Sequence, residues 1–323
     1  MDSEGATPDN AARTEGNALT PRAPALLEID GISKRYGNTV AVDELSFEVR
    51  AGEMFGFVGR NGAGKTTTMR IVLGVIGADR GEVRWCGRRL DLKARRRIGY
   101  MPEERGLYPK MRIAEQLRYV GELHGMAGSD AAAAALQWLE RFDLAERRNA
   151  ELQSLSLGNQ QRIQLAAALV FSPEVLVLDE PFSGLDPVAV DVLIWVLREQ
   201  AEAGVAVIFS SHELELVERI CDRVGIIDRG RLVAMGSVED LRRGGPERLW
   251  VDAPAASEDW LRKVPGATVL QEHGSRRLVE LAPGGNDQAV LQAALRTGPV
   301  REFRPAERSL GELFRGYIEE DQR

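Results

Sequence analysis

A glycine-rich segment between an apolar strand and a helical stretch constrains this chain more than any other part of its sequence. It fits the pattern G-x-x-x-x-G-K-[ST] and reads Gly59-Arg60-Asn61-Gly62-Ala63-Gly64-Lys65-Thr66. An apolar strand is predicted before it at Met54–Val58, and a helical stretch is predicted after it at Thr67–Val75. In that setting, glycines let backbone N–H groups converge on phosphate oxygens, and the positive end of the helix dipole adds to the attraction. The segment therefore predicts a phosphate-binding loop in an α/β fold.

A second motif supplies the acidic groups that such a loop needs. The apolar run Val175–Leu178 ends in Asp179 and Glu180. A strand that delivers a carboxylate to its carboxyl edge places a Mg²⁺ ligand beside bound phosphates, so Asp179 and the hydroxyl of Thr66 are predicted to hold Mg²⁺. Lys65 is predicted to contact the β- and γ-phosphates, and Glu180 to act as general base toward water.

Strand-like and helical stretches alternate from Leu26 to about Ser211, which is the pattern of a mixed α/β domain. A helix-rich insertion is predicted from Ile113–Gly125 and Asp130–Phe142. Residues 242–246 predict a linker, and 246–323 predict a strand, a helix, two strands, a helix, a strand and a helix. The other predicted strands are Leu26–Ile29, Ala41–Val49 (after a turn at Gly37-Asn38), Val205–Phe209, Val224–Asp228 and Arg231–Ala234.

Composition narrows the class of protein. A chain of 323 residues with 44% hydrophobic residues suits about two globular domains with a large core. A net charge of -7 argues against a surface devoted to nucleic acid, and two distant cysteines argue against a disulfide framework. No apolar run reaches the roughly 18 residues of a membrane-spanning helix. Residues 1–24 are polar, lack the apolar core of a signal peptide and predict a disordered tail.

A family resemblance enters between the two motifs. The run there reads Leu155-Ser156-Leu157-Gly158-Asn159-Gln160-Gln161-Arg162. It resembles the signature motif of ATP-binding-cassette (ABC) ATPases, usually Leu-Ser-Gly-Gly-Gln before a basic residue, and the motifs also follow that family's order. The resemblance covers about 26–240 and implies a P-loop ABC cassette over 25–243, with a mixed sheet core, an antiparallel β subdomain and a helical subdomain at about 105–172. Residues 246–323 are expected to form a small α+β C-terminal domain.

The resemblance also implies roles for single residues. Tyr36 matches the aromatic residue that stacks on adenine, a contact worth about 1–3 kcal/mol by analogy with base stacking. Glu103 stands where the family usually has Gln, and its carboxylate keeps the oxygen acceptor for Mg²⁺ or its water but lacks the amide donor. His212 matches the histidine that touches the γ-phosphate. The implied catalytic residues are Lys65, Glu180 and His212, and the implied metal-binding residues are Thr66, Glu103 and Asp179. The implied ATP contacts are Tyr36, Gly59, Arg60, Asn61, Gly62, Ala63, Gly64, Lys65, Thr66, Thr67, Glu103, Ser156, Gly158, Asn159 and Asp186.

The signature departs from the family pattern at Leu157, in place of Gly, and at Asn159, in place of Gln. In the family, the Ser hydroxyl and the following N–H groups hold the γ-phosphate of the opposite subunit, and Ser156 and Gly158 keep those groups. Leu157 keeps its N–H, although a positive φ would be strained for it. The resemblance therefore implies a head-to-tail dimer with two ATP molecules at its interface, joined through the Ser183–Asp186 loop.

One cassette without a membrane-spanning run implies the ATPase subunit of a transporter, bound through a separate membrane permease to the cytoplasmic face of the cell membrane. In the family, the surface near Glu103–Pro109 and the helical insertion receives a short permease helix. The stretch Glu103–Tyr108, the signature and the size of the C-terminal domain are similar to the sodium- and drug-efflux branch, so an exporter is expected. The expected partners are the permease and a second copy or a related cassette, with no nucleic acid.

Two other kinds of ABC protein stay open at this stage. Members that act on nucleic acid or the ribosome usually carry long coiled coils or two cassettes, whereas Thr66 to Leu155 shows no sustained heptads. Importer ATPases with regulatory C-terminal domains tend to carry larger ones than 246–323. A basic cluster that a nucleic acid would favour consists of Arg88, Arg89, Lys93, Arg95, Arg96 and Arg97, although a solvated face explains it as well.

Overall fold

The computed structural model describes residues 26–104, 106–257 and 259–320, so the predicted tail at 1–24 lies outside the described residues. In chain order, the first elements are β1 (Leu26–Tyr36), β2 (Thr39–Arg50), β3 (Met54–Val58), α1 (Lys65–Leu73), β4 (Arg80–Trp85), β5 (Arg88–Arg89), α2 (Leu92–Arg95), β6 (Ile98–Met101), α3 (Ile113–Leu123), α4 (Gly128–Arg141) and α5 (Leu157–Leu169). They are followed by β7 (Val175–Leu178), α6 (Pro187–Glu202), β8 (Ala206–Ser211), α7 (Leu214–Ile220), β9 (Arg223–Asp228), β10 (Arg231–Ser237), α8 (Val238–Arg243), β11 (Arg248–Asp252), β12 (Ala267–His273), β13 (Arg276–Leu281), α9 (Asp287–Leu295), β14 (Glu302–Pro305) and α10 (Leu310–Glu320).

The central sheet has six strands in the order β10-β9-β3-β8-β7-β6. All neighbouring pairs are parallel except β10 with β9. Every residue of β3, β7 and β8 is buried, as expected of parallel strands covered on both faces. Because parallel strands end at the same edge, the loops after β3, β7 and β8 meet there.

An antiparallel sheet in the order β2-β1-β4-β5 packs against the central sheet. The rings of Phe47 from β2 and of Phe55 and Phe57 from β3 are stacked, with centroids 5.3 and 5.1 Å from Phe47. Stacked aromatic pairs add to the free energy gained by burial. The stack therefore fastens the antiparallel sheet to the strand that leads into the glycine-rich loop.

The helices α3, α4 and α5 form the helix-rich part of the chain between β6 and β7. The guanidinium of Arg141, in α4, lies 5.2 Å from the ring centroid of Trp138 and 4.9 Å from that of Trp195, in α6. Arg141 also pairs with Glu199 of α6. Cation–π contacts and an ion pair thus link the helical part to the core.

The third sheet, in the order β12-β13-β11-β14, is antiparallel and has a core of its own. The burial of β11 alternates, with Leu249 and Val251 turned inward, as expected of a strand covered on one face. They pack with Val290 and Ala294 of α9 and with Trp260, which lies in a 3₁₀ turn at Trp260–Lys263.

The last helix leaves this third sheet and packs against the first part of the chain. Leu310 of α10 is 0% exposed and, with Leu313, belongs to the same buried cluster as Val217 of α7 and Val238 of α8. The Leu310 N–H donates to the carboxylate of Glu218, in α7. The helix α10 therefore connects the C-terminal sheet to the hydrophobic core beside the central sheet.

Most predicted elements exist, with different ends. The strands Met54–Val58 and Val175–Leu178 have the predicted bounds, whereas Val205–Phe209 is wrong by one residue at its start and two at its end, because polar Ser210 and Ser211 continue β8. The predicted linker at 242–246 is partly wrong, since α8 runs to Arg243. The first helix predicted after residue 246 is only the short 3₁₀ turn.

Within the described ranges, none of the helices combines the length and the hydropathy needed to cross a membrane.

The packing of α10 predicts a large effect of Leu310→Ala on stability. The substitution leaves a cavity in a fully buried site, so we expect the free energy of unfolding to fall by about 2–5 kcal/mol in a urea titration. Leu295→Ala is the matched control, because Leu295 is also helical but is exposed, and we expect a change below about 0.5 kcal/mol. Equal losses in the two variants would contradict the proposed anchoring of α10.

Candidate active site

A cavity of about 260 Å³ lies at the edge where β3, β8 and β7 end. In the register of the parallel strands, Val58 pairs with Ser211 and Leu178 pairs with Phe209. The glycine-rich loop, Asp179, Glu180 and His212 therefore leave the sheet side by side. The cavity is lined by Ala41, Arg60, Asn61, Gly62, Gly64, Lys65, Thr66, Thr67, Glu103, Asp179, Glu180 and His212.

Two glycines let the loop press against neighbouring backbone. A Cβ atom at Gly59 would lie 2.4 Å from the carbonyl oxygen of Ile227. Gly64 has φ +109°, and a Cβ there would lie 2.4 Å from the carbonyl oxygen of Ala41. At Gly64 only glycine suits both the close contact and the positive φ, and at Gly59 only glycine suits the close contact. The loop is thus held tightly at the start of α1, where backbone N–H groups attract anions.

Lys65 begins α1 and is buried, with only 6% of its surface exposed. Its Nζ atom donates to the Gly59 carbonyl oxygen at 2.7 Å and lies 3.5 Å from Oε1 of Glu180. A buried ammonium group needs partners of this kind. A phosphate group in the cavity would offer the same ammonium charged oxygens, and charge-assisted hydrogen bonds are the stronger kind.

Ser210 joins the two acidic residues that follow β7. Its hydroxyl donates to Oδ1 of Asp179 at 2.6 Å, and its oxygen accepts from the backbone N–H of Glu180 at 2.8 Å. Asp179 and Ser210 are both almost fully buried. A single side chain from the adjacent strand β8 therefore contacts the carboxylate of Asp179 and the backbone of Glu180.

Glu180 has an unusual backbone and an unusual side chain. Its φ is +49°, a left-handed conformation that is uncommon outside glycine. Nδ1 of His212 lies 2.9 Å from its Oε2 atom, while its buried Oε1 receives no hydrogen bond from the described residues. A buried carboxylate oxygen without a donor, at the wall of a cavity, is placed to accept a proton from a bound molecule.

The donor set suits a Mg²⁺ ion bound partly by the protein and partly by phosphate. Oδ2 of Asp179 receives no hydrogen bond from the described residues, and Thr66 and Glu103 line the same cavity. No group of three His, Cys, Asp or Glu side chains that would hold a metal unaided occurs in the described ranges. Mg²⁺ is usually bound by one or two carboxylates together with substrate phosphates, and the carboxylates of Asp179 and Glu103 in this cavity match that donor set.

The phenol of Tyr100 lies near this edge. Burial is the main cause that raises its pKa, and the nearby Asp179 carboxylate raises that pKa further, whereas Arg70 acts in the opposite direction.

A second cavity, of about 360 Å³, contains the predicted signature residues and shares no lining residue with the first. It is lined by Ser156, Leu157, Gly158, Asn159, Arg162, Gly184, Leu185, Asp186, Val188 and Ala189. Ser156 and Asp186 are the N-caps of α5 and α6, and their side chains accept from the N–H groups of Asn159 and Ala189. The positive φ considered for Leu157 is absent, because Leu157 is the first residue of α5.

Tyr36, predicted to stack on adenine, is half exposed at the end of β1 and lines neither cavity. Nζ of Lys34 lies 5.8 Å from the centroid of its ring. The ring face is thus close to a cation and open to solvent.

Sequence reasoning missed several residues that shape the site. Ser210 follows four apolar residues in β8 and is followed by a second serine, and that change from apolar to polar residues was the available signal. In α5, Gln161 donates to the Pro181 carbonyl at 3.0 Å and Gln164 to the Pro102 carbonyl at 2.7 Å. These glutamines connect the signature helix to the loops that carry Glu180 and Glu103, a link that only the fold reveals.

Comparisons with known proteins agree with this geometry. A family model described as "ABC transporter" matches residues 42–183, and one described as "ATP-binding protein DrrA1-3-like, C-terminal domain" matches 236–318. The chain is 38% identical over 293 residues to the ABC transporter ATP-binding protein YhaQ of Bacillus subtilis, covering 90% of this chain and 97% of YhaQ. It is 39% identical to the Nod factor export ATP-binding protein I of Paraburkholderia xenovorans, covering 66% and 71% of the two chains.

A solved structure described as the ATP-binding subunit of an ABC transporter superposes with a TM-score of 0.63 at 33% identity, covering 68% of this chain and 92% of that one. The architecture of a P-loop ABC cassette, with its mixed sheet, antiparallel sheet and helical part, is therefore confirmed.

The contacts of Lys65 predict that Lys65→Ala weakens nucleotide binding. A hydrogen bond between an ammonium group and a phosphate oxygen contributes about 1.5–3 kcal/mol, so its loss should raise the Kd for ATP roughly 10- to 100-fold. The Kd is measured by isothermal titration calorimetry. Lys93→Ala removes an exposed lysine from α2 and should leave the affinity at the wild-type value. Wild-type affinity in Lys65→Ala would exclude this cavity as the phosphate site.

Proposed function

The chain belongs to the family of ABC transporter ATP-binding proteins, and on that premise we propose that it is the ATP-hydrolysing subunit of an exporter that works with a separate membrane permease. ATP hydrolysis is the general reaction of these cassettes. The observation that carries the proposal is the buried Glu180 carboxylate, whose Oε1 atom lies without a hydrogen bond beside Lys65 in the cavity next to the glycine-rich loop.

ATP binding begins with the glycine-rich loop. The N–H groups at the start of α1 and the ammonium group of Lys65 bind the β- and γ-phosphates, and the adenine stacks on the exposed ring of Tyr36. Lys65 exchanges its contact with the Gly59 carbonyl for phosphate oxygens. The closeness of Lys65 to Glu180 then brings the γ-phosphate next to the base.

Hydrolysis follows from the position of Glu180. Its Oε1 atom accepts a proton from a water molecule, and the water oxygen attacks the γ-phosphorus in line with the departing β,γ-bridging oxygen. His212 holds the other carboxylate oxygen and lines the same cavity, so we assign it the contact with the γ-phosphate. The products are ADP and phosphate.

Thr66, Asp179 and Glu103 would hold Mg²⁺ with the phosphates. When bound, the ion supplies positive charge that neutralises the phosphate oxygens. The chain's own contribution is the hydrogen bond from Ser210 that holds Oδ1 of Asp179.

The active unit is a head-to-tail dimer, either of two copies or with a related cassette. The separation of the phosphate cavity from the signature cavity supports this, because the second set of anion-binding groups is unused within one chain. In a dimer, Ser156 and Gly158 of one subunit complete the phosphate site of the other. The family's cassettes dimerise, so ATP at the interface favours the closed state.

The permease binds at a surface formed by Tyr108, Tyr119 and Leu123. These side chains are 59%, 39% and 59% exposed, and the two tyrosine rings lie 6.3 Å apart. Gln116 supports the surface, because its Oε1 atom accepts from the Tyr108 N–H at 2.5 Å. An exposed aromatic patch of this kind suits an apolar helix end from a membrane protein. Docking there would place the subunit on the cytoplasmic face of the membrane.

Export is favoured over import by one relative, which is named as a Nod factor export protein. The alternatives predicted from the sequence, a nucleic-acid or ribosome role and an importer, are not proposed. The transported solute is not part of the proposal, because the ATPase subunit does not contact it.

We expect Glu180→Gln to bind ATP, dimerise and lose turnover. The amide cannot accept the proton of water, so kcat should fall about 10²–10⁴-fold in a phosphate-release assay, while size-exclusion chromatography with ATP shows a dimer. Glu215→Gln, at an exposed position of α7, is the matched control and should keep wild-type turnover. Near wild-type hydrolysis in Glu180→Gln would show that the base is assigned to the wrong residue.

We expect Tyr119→Glu to lose the permease and to keep ATP hydrolysis. Two tagged forms, Glu180→Gln alone and Glu180→Gln with Tyr119→Glu, are purified with ATP from detergent-solubilised host membranes. A polytopic membrane protein should accompany only the form that keeps Tyr119. Leu295→Glu introduces the same charge at an exposed site of α9 and should retain the partner. Recovery of no membrane protein with any form, or of DNA or ribosomes, would contradict the transport role.

A further inference from the structure

We propose that Ser210 is a positioning residue that sets both acidic groups of the active site through one hydroxyl group. The proposal rests on the assignment of Asp179 and Glu180 under the proposed function, and extends it to a residue on a different strand. Its basis is the geometry of three buried residues from β7 and β8.

The hydroxyl of Ser210 serves as donor and acceptor at once. It donates to Oδ1 of Asp179 at 2.6 Å and accepts from the N–H of Glu180 at 2.8 Å. Ser210 is 0% exposed, so water cannot replace either bond easily. Among the side chains small enough for this site, only Ser and Thr supply a strong donor and a strong acceptor without a charge, since a Cys thiol is weak in both roles.

The bond to Asp179 orients the carboxylate. With Oδ1 bound to Ser210, Oδ2 is the oxygen that receives no hydrogen bond from the described residues. A hydrogen bond from the outer partner of a metal ligand fixes the ligand's rotamer, and loss of such partners lowers metal affinity. Ser210 thereby prepares Asp179 for a cation before the nucleotide arrives.

The bond to Glu180 stabilises a strained backbone. Glu180 has φ +49°, which persists in non-glycine residues only where the surroundings hold it. The Ser210 oxygen accepts from the N–H of that same residue. If the backbone relaxed, the Glu180 carboxylate would leave its place between His212 and Lys65.

The sequence of β8 supports a special role for this position. The residues before it, from Ala206 to Phe209, are apolar and buried. An apolar side chain would therefore suit the strand, but it would leave the Glu180 N–H and Oδ1 of Asp179 buried without partners. The neighbouring Ser211 has a different task, since its oxygen accepts from the N–H of Glu213 at 2.9 Å.

The test compares Ser210→Ala, Ser210→Thr and Ser211→Ala. Mn²⁺ is titrated into the full chain saturated with a non-hydrolysable ATP analogue, and free Mn²⁺ is followed by electron paramagnetic resonance. We expect Ser210→Ala to weaken Mn²⁺ binding and to lower kcat by about 10- to 100-fold each. Its ATP affinity in EDTA should equal that of the wild-type protein, and its thermal midpoint should be lower, because two buried groups lose their hydrogen-bond partner. Ser210→Thr should restore Mn²⁺ binding and kcat, and Ser211→Ala should keep Mn²⁺ affinity.

If Ser210→Ala does not fold, Ser210→Cys replaces it. A thiol is only a weak donor and a weak acceptor, so this variant should also bind Mn²⁺ less tightly than the wild-type protein. Wild-type Mn²⁺ affinity and kcat in the folded variant, or an equal loss in Ser211→Ala, would overturn the positioning role.

Asp179→Asn and Glu180→Gln are measured beside these variants. If Asp179→Asn keeps Mn²⁺ affinity and Glu180→Gln keeps turnover, the proposed function has the wrong site. If both lose them while Ser210→Ala does not, only the role of Ser210 is wrong.

Discussion

The parallel register of β3, β8 and β7 is the constraint on which the rest of this structure depends. Because Val58, Ser211 and Leu178 end their strands at one edge, the glycine-rich loop, His212 and the acidic pair emerge together. The strands are buried on both faces, so a shift in their pairing would disturb two cores at once. The same burial strengthens each charge–charge contact at the edge, since water does not screen it as it does at the surface.

Polar groups inside this apolar frame serve to orient the site. Lys65, Asp179, Glu180 and Ser210 are all buried, and each has a partner that holds it in place. The strained backbone of Glu180 is acceptable because these partners surround it. Farther away, the glutamines of α5 extend the network to the signature, so that the second cavity and the acidic pair are connected through one helix. The helix α10 adds the C-terminal sheet to the same core.

Local sequence patterns predicted some strand ends correctly and others wrongly. The strands Met54–Val58 and Val175–Leu178 were predicted with their ends, because each is a short apolar run bounded by polar or glycine residues. The end of β8 was missed because Ser210 and Ser211 appear, in a list of residues, like the start of a loop. Their burial comes from neighbouring strands, which are distant in the sequence. The helix predicted after the first C-terminal strand is a 3₁₀ turn at Trp260–Lys263. Its apolar residues pack into the core of the third sheet, and that packing does not require a longer helix.

By itself, the sequence determined the candidate chemistry of the site: which loop is predicted to bind phosphate, which carboxylates follow a central strand, and which family the motifs resemble. Those features are local, because a glycine's freedom or a carboxylate after an apolar run depends only on adjacent residues. Tertiary structure alone decided that Ser210 bridges Asp179 and Glu180, that Leu157 begins a helix and so avoids strain, and that α10 is anchored on α7. Hydrogen bonds and packing between distant segments depend on distances in space, and those exist only once the sheets have assembled.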